Sequence, residues 1–140
     1  MKRINILILL LAIGLSACMR KPPAALGADA PADKVPNIVG SYALNAIDPS
    51  GEQYGGTLTI TSGTKPNEYK LQWLVSGGIH EGTGTLEGNQ LTASWRSISE
   101  AEDISGIASY TVTVNGELYG TRSIEGVEPT GSETAYPNPK

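Results

Sequence analysis

The chain predicts an all-β domain: a small antiparallel up-and-down barrel of about eight strands, with a two-sheet β-sandwich as the alternative. Three observations lead there. No window carries a helical period of apolar residues, whereas apolar and polar residues alternate repeatedly between turn residues. Three stretches echo one another: SYALNAIDPSGEQYGGTLTI, EYKLQWLVSGGIHEGTGTL and SYTVTVNGELYGTRSI. Each starts with Tyr in an alternating strand, turns, and returns with Gly-Thr. Finally, large inward residues recurrently face glycine, which lets a sheet bend sharply enough to close.

The alternation gives strands over residues 39–47, 53–61, 68–76, 79–86, 90–96, 107–113, 117–124 and 132–136. Register follows from the turns, since a one-residue slip would move every apolar side chain to the wrong face. In the first hairpin Asp48-Pro49-Ser50-Gly51 suits a type I turn followed by a left-handed glycine. That places Tyr42 opposite Leu58 and Leu44 opposite Gly56. A Gly77-Gly78 turn sets Val75 opposite His80, Trp73 opposite Gly82, Leu71 opposite Gly84 and Tyr69 opposite Leu86. A Gly88-Asn89 turn then pairs Leu86 with Leu91, Gly84 with Ala93 and Gly82 with Trp95. In the third hairpin a two-residue Asn115-Gly116 turn would put Leu118 on the polar face. A three-residue Val114-Asn115-Gly116 loop instead pairs Val112 with Leu118 and Tyr110 with Gly120. Lys70, Gln72, Thr83, Thr85, Thr92 and Ser94 all fall on the outer face. A barrel of this size has an interior just filled by side chains, or room for one small ligand. In the sandwich alternative the 97–106 loop is the crossover.

The first 37 residues have a different composition. Lys2 and Arg3 precede an apolar run from Ile4 to Leu15, far short of the roughly 20 residues that span a bilayer. Small residues Ser16 and Ala17 follow, so residues 1–17 read as a signal peptide. The run ends in LSAC, which holds the single cysteine and resembles the lipobox of bacterial lipoproteins. The resemblance implies that Cys18 carries a diacylglycerol on sulfur, becomes the new N-terminus and is N-acylated. Several acyl chains anchor stably. Residue 19 is Met and not Asp, which by the same resemblance favours the outer membrane. Residues 18–37 then form a lipidated Ala- and Pro-rich linker of solvated, semi-extended character, and residues 38–140 the barrel domain. With Lys2 and Arg3 removed from the 10 basic residues, 8 remain against 14 acidic ones, so the mature chain carries −6. That excludes nucleic acid, whose phosphates demand clustered Lys and Arg. With Cys18 acylated no disulfide forms, and the domain rests on burial alone.

A second resemblance lies in the order of G-x-Y, a D-P-x-G turn, Y-x-G-x-L-x-I, Y-x-L-x-W, G-x-G-x-L and a late G-x-E. Here these are Gly40 and Tyr42, Asp48 to Gly51, Tyr54 to Ile60, Tyr69 to Trp73, Gly82 to Leu86, and Gly131 with Glu133. The order is similar to a group of small exported proteobacterial proteins, some carrying a fibronectin-binding label. Its elements are structural, so the resemblance implies the fold. Many of that group place G-x-W in the late strand, where this chain has Gly120-Thr121-Arg122.

Chemistry-bearing patterns are few. His80 is the only histidine. With no second His and no available Cys it does not seed an ordinary zinc site, and it reads as a polar residue at a barrel mouth. No G-x-S-x-G elbow accompanies it. Glu100, Glu102 and Asp103 lack the D-x-D-x-D-G spacing of a calcium loop and read as a solvated face. The expectation is therefore no catalytic residue, no metal and no cofactor. Alternation aims Arg122 inward, with Glu133 in the neighbouring last strand. The two form either a buried ion pair locking the closing strand or an exposed pair at the rim. Trp73 and Trp95 flank Gly82, with His80 two residues before it. Together the four either frame a flat ligand slot or pack the core, since each indole buries roughly 150–250 Å².

Two functional readings result. In the first the chain is a monomeric, lipid-anchored, non-catalytic interaction module, contacting the membrane through Cys18 and an unidentified protein or envelope polymer through its hydroxyl-rich outer face, loops or mouth. That face includes Thr57, Thr59, Thr61, Thr83, Thr85, Thr92 and Ser94. In the second it is a carrier or sensor of a small apolar or sugar ligand inside the barrel. A void between Trp73 and Trp95 would favour the carrier, and tight packing there the module.

Overall fold

The computed structural model describes residues 25–98 and 103–139. Cys18, Glu100 and Glu102 lie outside the described residues. Within them the chain forms eight strands: β1 (Gly40–Ile47), β2 (Gln53–Ser62), β3 (Glu68–Val75), β4 (Gly78–Glu87), β5 (Gln90–Ser97), β6 (Ser105–Val112), β7 (Leu118–Ile124) and β8 (Val127–Pro137). Each pairs antiparallel with the next, and β8 returns to β1, so the sheet closes into a barrel with no free edge. The sandwich alternative does not hold.

Turn chemistry fixes most of the register. Gly51, at φ +91°, follows the Asp48 turn, and Tyr42 pairs with Leu58 and Leu44 with Gly56 as the sequence predicts. Asp48 holds this turn by accepting from Ser50 N, Ser50 Oγ and Glu52 N through one carboxylate oxygen. Gly116, at φ +81°, closes the three-residue loop that pairs Val112 with Leu118 and Tyr110 with Gly120. The β4–β5 register also matches, with Gly82 opposite Trp95.

The β3–β4 hairpin departs from expectation by two residues. Its turn is Ser76-Gly77, with Gly77 at φ +114°, and Val75 pairs with Gly78. Trp73 therefore faces His80, and Leu71 faces Gly82. A slip of two keeps every side chain on its face, so hydrophobic alternation cannot detect it; only the turn decides. The Trp73 ring still covers Gly82, diagonally: a β-carbon there would sit 3.1 Å from Trp73 Cζ3.

β8 is longer than expected, starting at Val127. Residues 127–130 are exposed, and Pro129 weakens the strand signal.

The inner face carries the core. Leu58, Ile60, Leu71, Trp73, Leu91, Ala108, Tyr110, Val112, Leu118 and Ala135 are all buried. Full burial of such aliphatic side chains is worth roughly 1.5–3 kcal/mol each. Ile38 caps the end of the barrel that holds the 88–89 and 113–117 turns, and Tyr42 Oη donates to its carbonyl at 2.6 Å. Part of the expected tether also docks there. Ala30 is 2% exposed; its N–H donates to Val112 O, and Asn89 Nδ2 donates to its carbonyl, both at 2.9 Å. Val114 N donates to Ala28 O at 2.8 Å. Solvated linker composition thus does not describe residues 28–30. Small side chains there let the backbone lie flat and satisfy barrel groups that would otherwise face water.

Candidate functional site

Strand parity and two glycines assemble a polar cluster inside the barrel, toward the end holding the Asp48 and Gly77 turns. Arg122 on β7 faces Gly131 across the β7–β8 ladder, and Glu133 on β8 faces Gly120. Each long side chain thus has a bare neighbour and room to lie along the inner wall. Arg122 Nη1 donates to Glu133 Oε1 at 3.1 Å, with the two residues 5% and 2% exposed. Of the two sequence alternatives, the buried pair is the one present.

Burying both charges is costly unless every remaining group finds a partner. Here Glu133 also accepts from Tyr54 Oη at 2.7 Å on Oε1 and from Tyr110 Oη on Oε2. Tyr110 in turn accepts from Trp73 Nε1 at 3.1 Å. Arg122 Nη2 lies 2.6 Å from His80 Nδ1. Because a guanidinium only donates, Nδ1 must accept, which assigns His80 the Nε2–H tautomer. The guanidinium also sits over both indoles, its Cζ 4.7 Å from the Trp73 ring centre and 3.9 Å from that of Trp95. Cation–π contacts reach about 2 kcal/mol when desolvated. His80 stacks on Trp95 at 4.9 Å with a 32° tilt. Burial and the Glu133 charge raise the Tyr54 and Tyr110 phenols above their usual range.

Trp73, Trp95 and His80 are therefore brought together, with half-buried Gly82 beneath Trp73. What lies between the indoles is Arg122 rather than an empty slot. Sequence reasoning missed Tyr54 and Tyr110 as partners of Glu133. For Tyr54 the signal was present, since Tyr54 and Glu133 both flank Ala46; it needed the β8–β1 register, which no turn sets.

Two concavities reach the surface. An open groove of about 680 Å³ crosses the outer face of β2–β5, lined among others by Thr59, Thr61, Gln72, Glu81, Thr83 and Ser94. All of these but Glu81 belong to the outward set the sequence predicts, and Gln72 Nε2 donates to Glu81 at 3.2 Å across the groove floor. The second is a pocket of about 330 Å³ at the barrel mouth, between the Asp48 and Gly77 turns. Trp95, Arg122, His80 and Tyr54 line it from within the barrel, with Val75, Ile104 and Ile124 as apolar wall. Among the described residues no three metal-ligating side chains come together.

A comparison with protein families finds no match, and one with curated proteins finds none. Among solved structures, the chain is similar to a redesigned β-barrel, mFAP1, solved with DFHBI bound: TM-score 0.60 and 14% identity, covering 71% of this chain and 94% of that one. A second redesigned β-barrel matches at TM-score 0.60 and 12% identity, covering 73% and 92%. At these identities the likeness concerns architecture alone, and the chain is an all-β closed barrel of eight antiparallel strands.

Proposed function

We propose that this protein is a lipid-anchored, non-catalytic binding module of a bacterial outer envelope, holding an uncharged, hydroxyl- and amide-rich envelope polymer in the groove across β2–β5. One observation carries the reading: the space between Trp73 and Trp95 is filled by the Arg122 guanidinium, 3.9 Å from one ring and 4.7 Å from the other. An interior so packed leaves no room for a carried ligand between the indoles, and recognition moves outside. The outer groove supports this. It is open, and the hydroxyls of Thr59, Thr61, Thr83 and Ser94 and the Gln72 amide line it beside Lys70, Glu81 and Arg96, groups that hydrogen-bond a neutral polymer. The mature charge of −6 disfavours polyanions. The lipobox at Cys18 supplies the anchor, and Met19 favours the outer membrane.

The test is co-sedimentation of the full chain, extracted in detergent, with isolated insoluble cell-wall polymer. Binding is expected, and Thr83→Glu or Ser94→Glu in the groove should reduce it at least tenfold, while Val127→Glu at the exposed start of β8 leaves it unchanged. Retained binding in both groove variants, or none in the parent chain, contradicts the reading.

A further inference from the structure

The N-terminal segment is latched to one end of the barrel, and the latch fixes where the chain leaves it. Asp29 bridges to Thr113 just past the end of β6, and Ala30 N donates to Val112 O at 2.9 Å. Val114 N donates to Ala28 O at 2.8 Å, Gly27 N to a Glu117 carboxylate oxygen at 3.2 Å, and Tyr119 Oη to Asp29 Oδ1 at 2.7 Å. Residues 27–30 therefore belong to the barrel and not to a tether. A free linker over residues 18–37 would let the domain range about 70 Å from Cys18. With the latch in place, Leu26 is eight residues past Cys18, a reach of at most about 29 Å. The end holding the 88–89 and 113–117 turns thus stays close to whatever holds Cys18. The mouth stands roughly 20 Å beyond it, the rise of an eight-residue strand tilted as in small barrels.

Charge divides along the same axis. The connections at the mouth end, 48–52, 76–77, 98–104 and 125–126, contain no Lys or Arg in sequence and include Asp48, Glu52, Asp103 and Glu125. At the latched end exposed Lys34 and Lys65 offset Asp29 and Asp33, and Glu117 is buried. The stretch from Cys18 to Leu26 then adds Arg20 and Lys21 with no acidic residue. An anionic headgroup layer attracts this end and repels the other. Leu26 and Val114 are exposed apolar side chains on the latched end. The mouth end exposes apolar side chains too, with Leu74 opposite Ile79 and Ile98 N bonded to Ile79 O, but its loops are acidic throughout. We infer that the latched end is a membrane-seating surface: Leu26 and Val114 enter the headgroup layer of an anionic phospholipid bilayer, and the mouth points away from it. The seat rests on the Cys18 anchor of the proposed function and goes beyond it, since acyl chains on a free linker set no orientation. Apolar side chains taken into that layer add to the hold of the acyl chains.

The experiment uses the full acylated chain, purified in detergent and reconstituted into vesicles of phosphatidylethanolamine and phosphatidylglycerol. Acylation blocks Cys18, so Val114→Cys or Leu74→Cys supplies the one thiol for a fluorescent label. The two sites are comparably exposed, at 50% and 56%, so neither label disturbs the core. Flotation on a density gradient first reports the anchor. Lipid carrying a headgroup nitroxide should then quench the label at 114 at least about threefold more than the label at 74, the contrast between a side chain in the headgroup layer and one roughly 20 Å away. Leu26→Cys repeats the test from the latched segment, with the same expectation. Equal quenching at 114 and 74 means a barrel lying on its side, stronger quenching at 74 a seated mouth, and none at either a domain clear of the bilayer. Each of these overturns the seat and leaves the anchor standing, whereas a chain that fails to float removes both.

Discussion

Arg122 and Glu133 sit diagonally across the β7–β8 ladder, each opposite a glycine and each bonded to the other at 3.1 Å inside the barrel. The glycines are as much part of the pair as the charges. Gly131 leaves the inner wall bare beside Arg122, and Gly120 does so beside Glu133. The arrangement that lets Trp73 lie over Gly82 thus recurs where the barrel closes.

That geometry makes glycine substitutions unequal. A β-carbon at Gly120 would run into the Ser109 carbonyl oxygen and crowd Tyr110 Cα at 2.9 Å, both backbone atoms that cannot step aside. At Gly40 nothing lies within 4 Å. Urea melts of Gly120→Ala should show a loss of about 1–3 kcal/mol, as overpacking costs, and Gly40→Ala should be neutral or gain up to ~1 kcal/mol from the less flexible unfolded chain.

Buried phenols make the fold sensitive to alkali. Burial, then the neighbouring Tyr69, pushes the Tyr42 phenol up to about 12; burial, then Glu133, raises Tyr54 and Tyr110 as well. In the unfolded chain these titrate near 10. Above that value the native state binds more protons than the unfolded one, so stability is complete below about pH 10 and falls as pH rises towards 12. Absorbance at about 295 nm should show Tyr42, Tyr54 and Tyr110 ionising only as the fold is lost. A single six-tyrosine transition at ordinary pH would contradict the buried assignments.

The docked segment at the other end has its own signature. Ala30 is buried against the 113–117 loop region, whereas Ala25 is exposed. Ala30→Asp forces a carboxylate into an apolar seat and should cost about 1–3 kcal/mol, while Ala25→Asp should cost nothing measurable. Equal, negligible effects in thermal melts would return residues 28–30 to the tether.

Cys18 carries the anchor expectation from sequence. Metabolic labelling with radioactive palmitate should mark the parent chain and disappear in Cys18→Ser; persistent labelling of the variant removes the lipobox reading.

How much of this was legible beforehand depends on period and turn chemistry. Alternation places Leu71, Trp73 and Trp95 inside, and the Asp48 and Gly116 turns fix two hairpins outright, so all-β closure was readable. The β3–β4 slip was not, because Gly77-Gly78 and Ser76-Gly77 turns give the same faces. The register of β8 on β1 was not, because that contact joins distant strands with no turn to set it. The interior cluster depends on that closure. Arg122 and Glu133 were visible as a pair, but Tyr54 and Tyr110 join them only once the barrel is shut. Likewise Ala30 gives no hydrophobic period, since its segment docks through backbone hydrogen bonds that leave no pattern in side-chain types.

The filled interior is the claim on which the functional reading turns, and a double-mutant cycle tests it most directly. Stability is measured by urea unfolding for the parent, Arg122→Met, Glu133→Gln and the double variant. Each single change strands a buried charge and should cost about 3–5 kcal/mol. The double variant should cost less than the sum by at least ~1.5 kcal/mol, because residues in contact couple. Additivity to within about 0.5 kcal/mol would mean that Glu133 does not hold the guanidinium against the indoles, and the case for recognition on the outer face would fall with it.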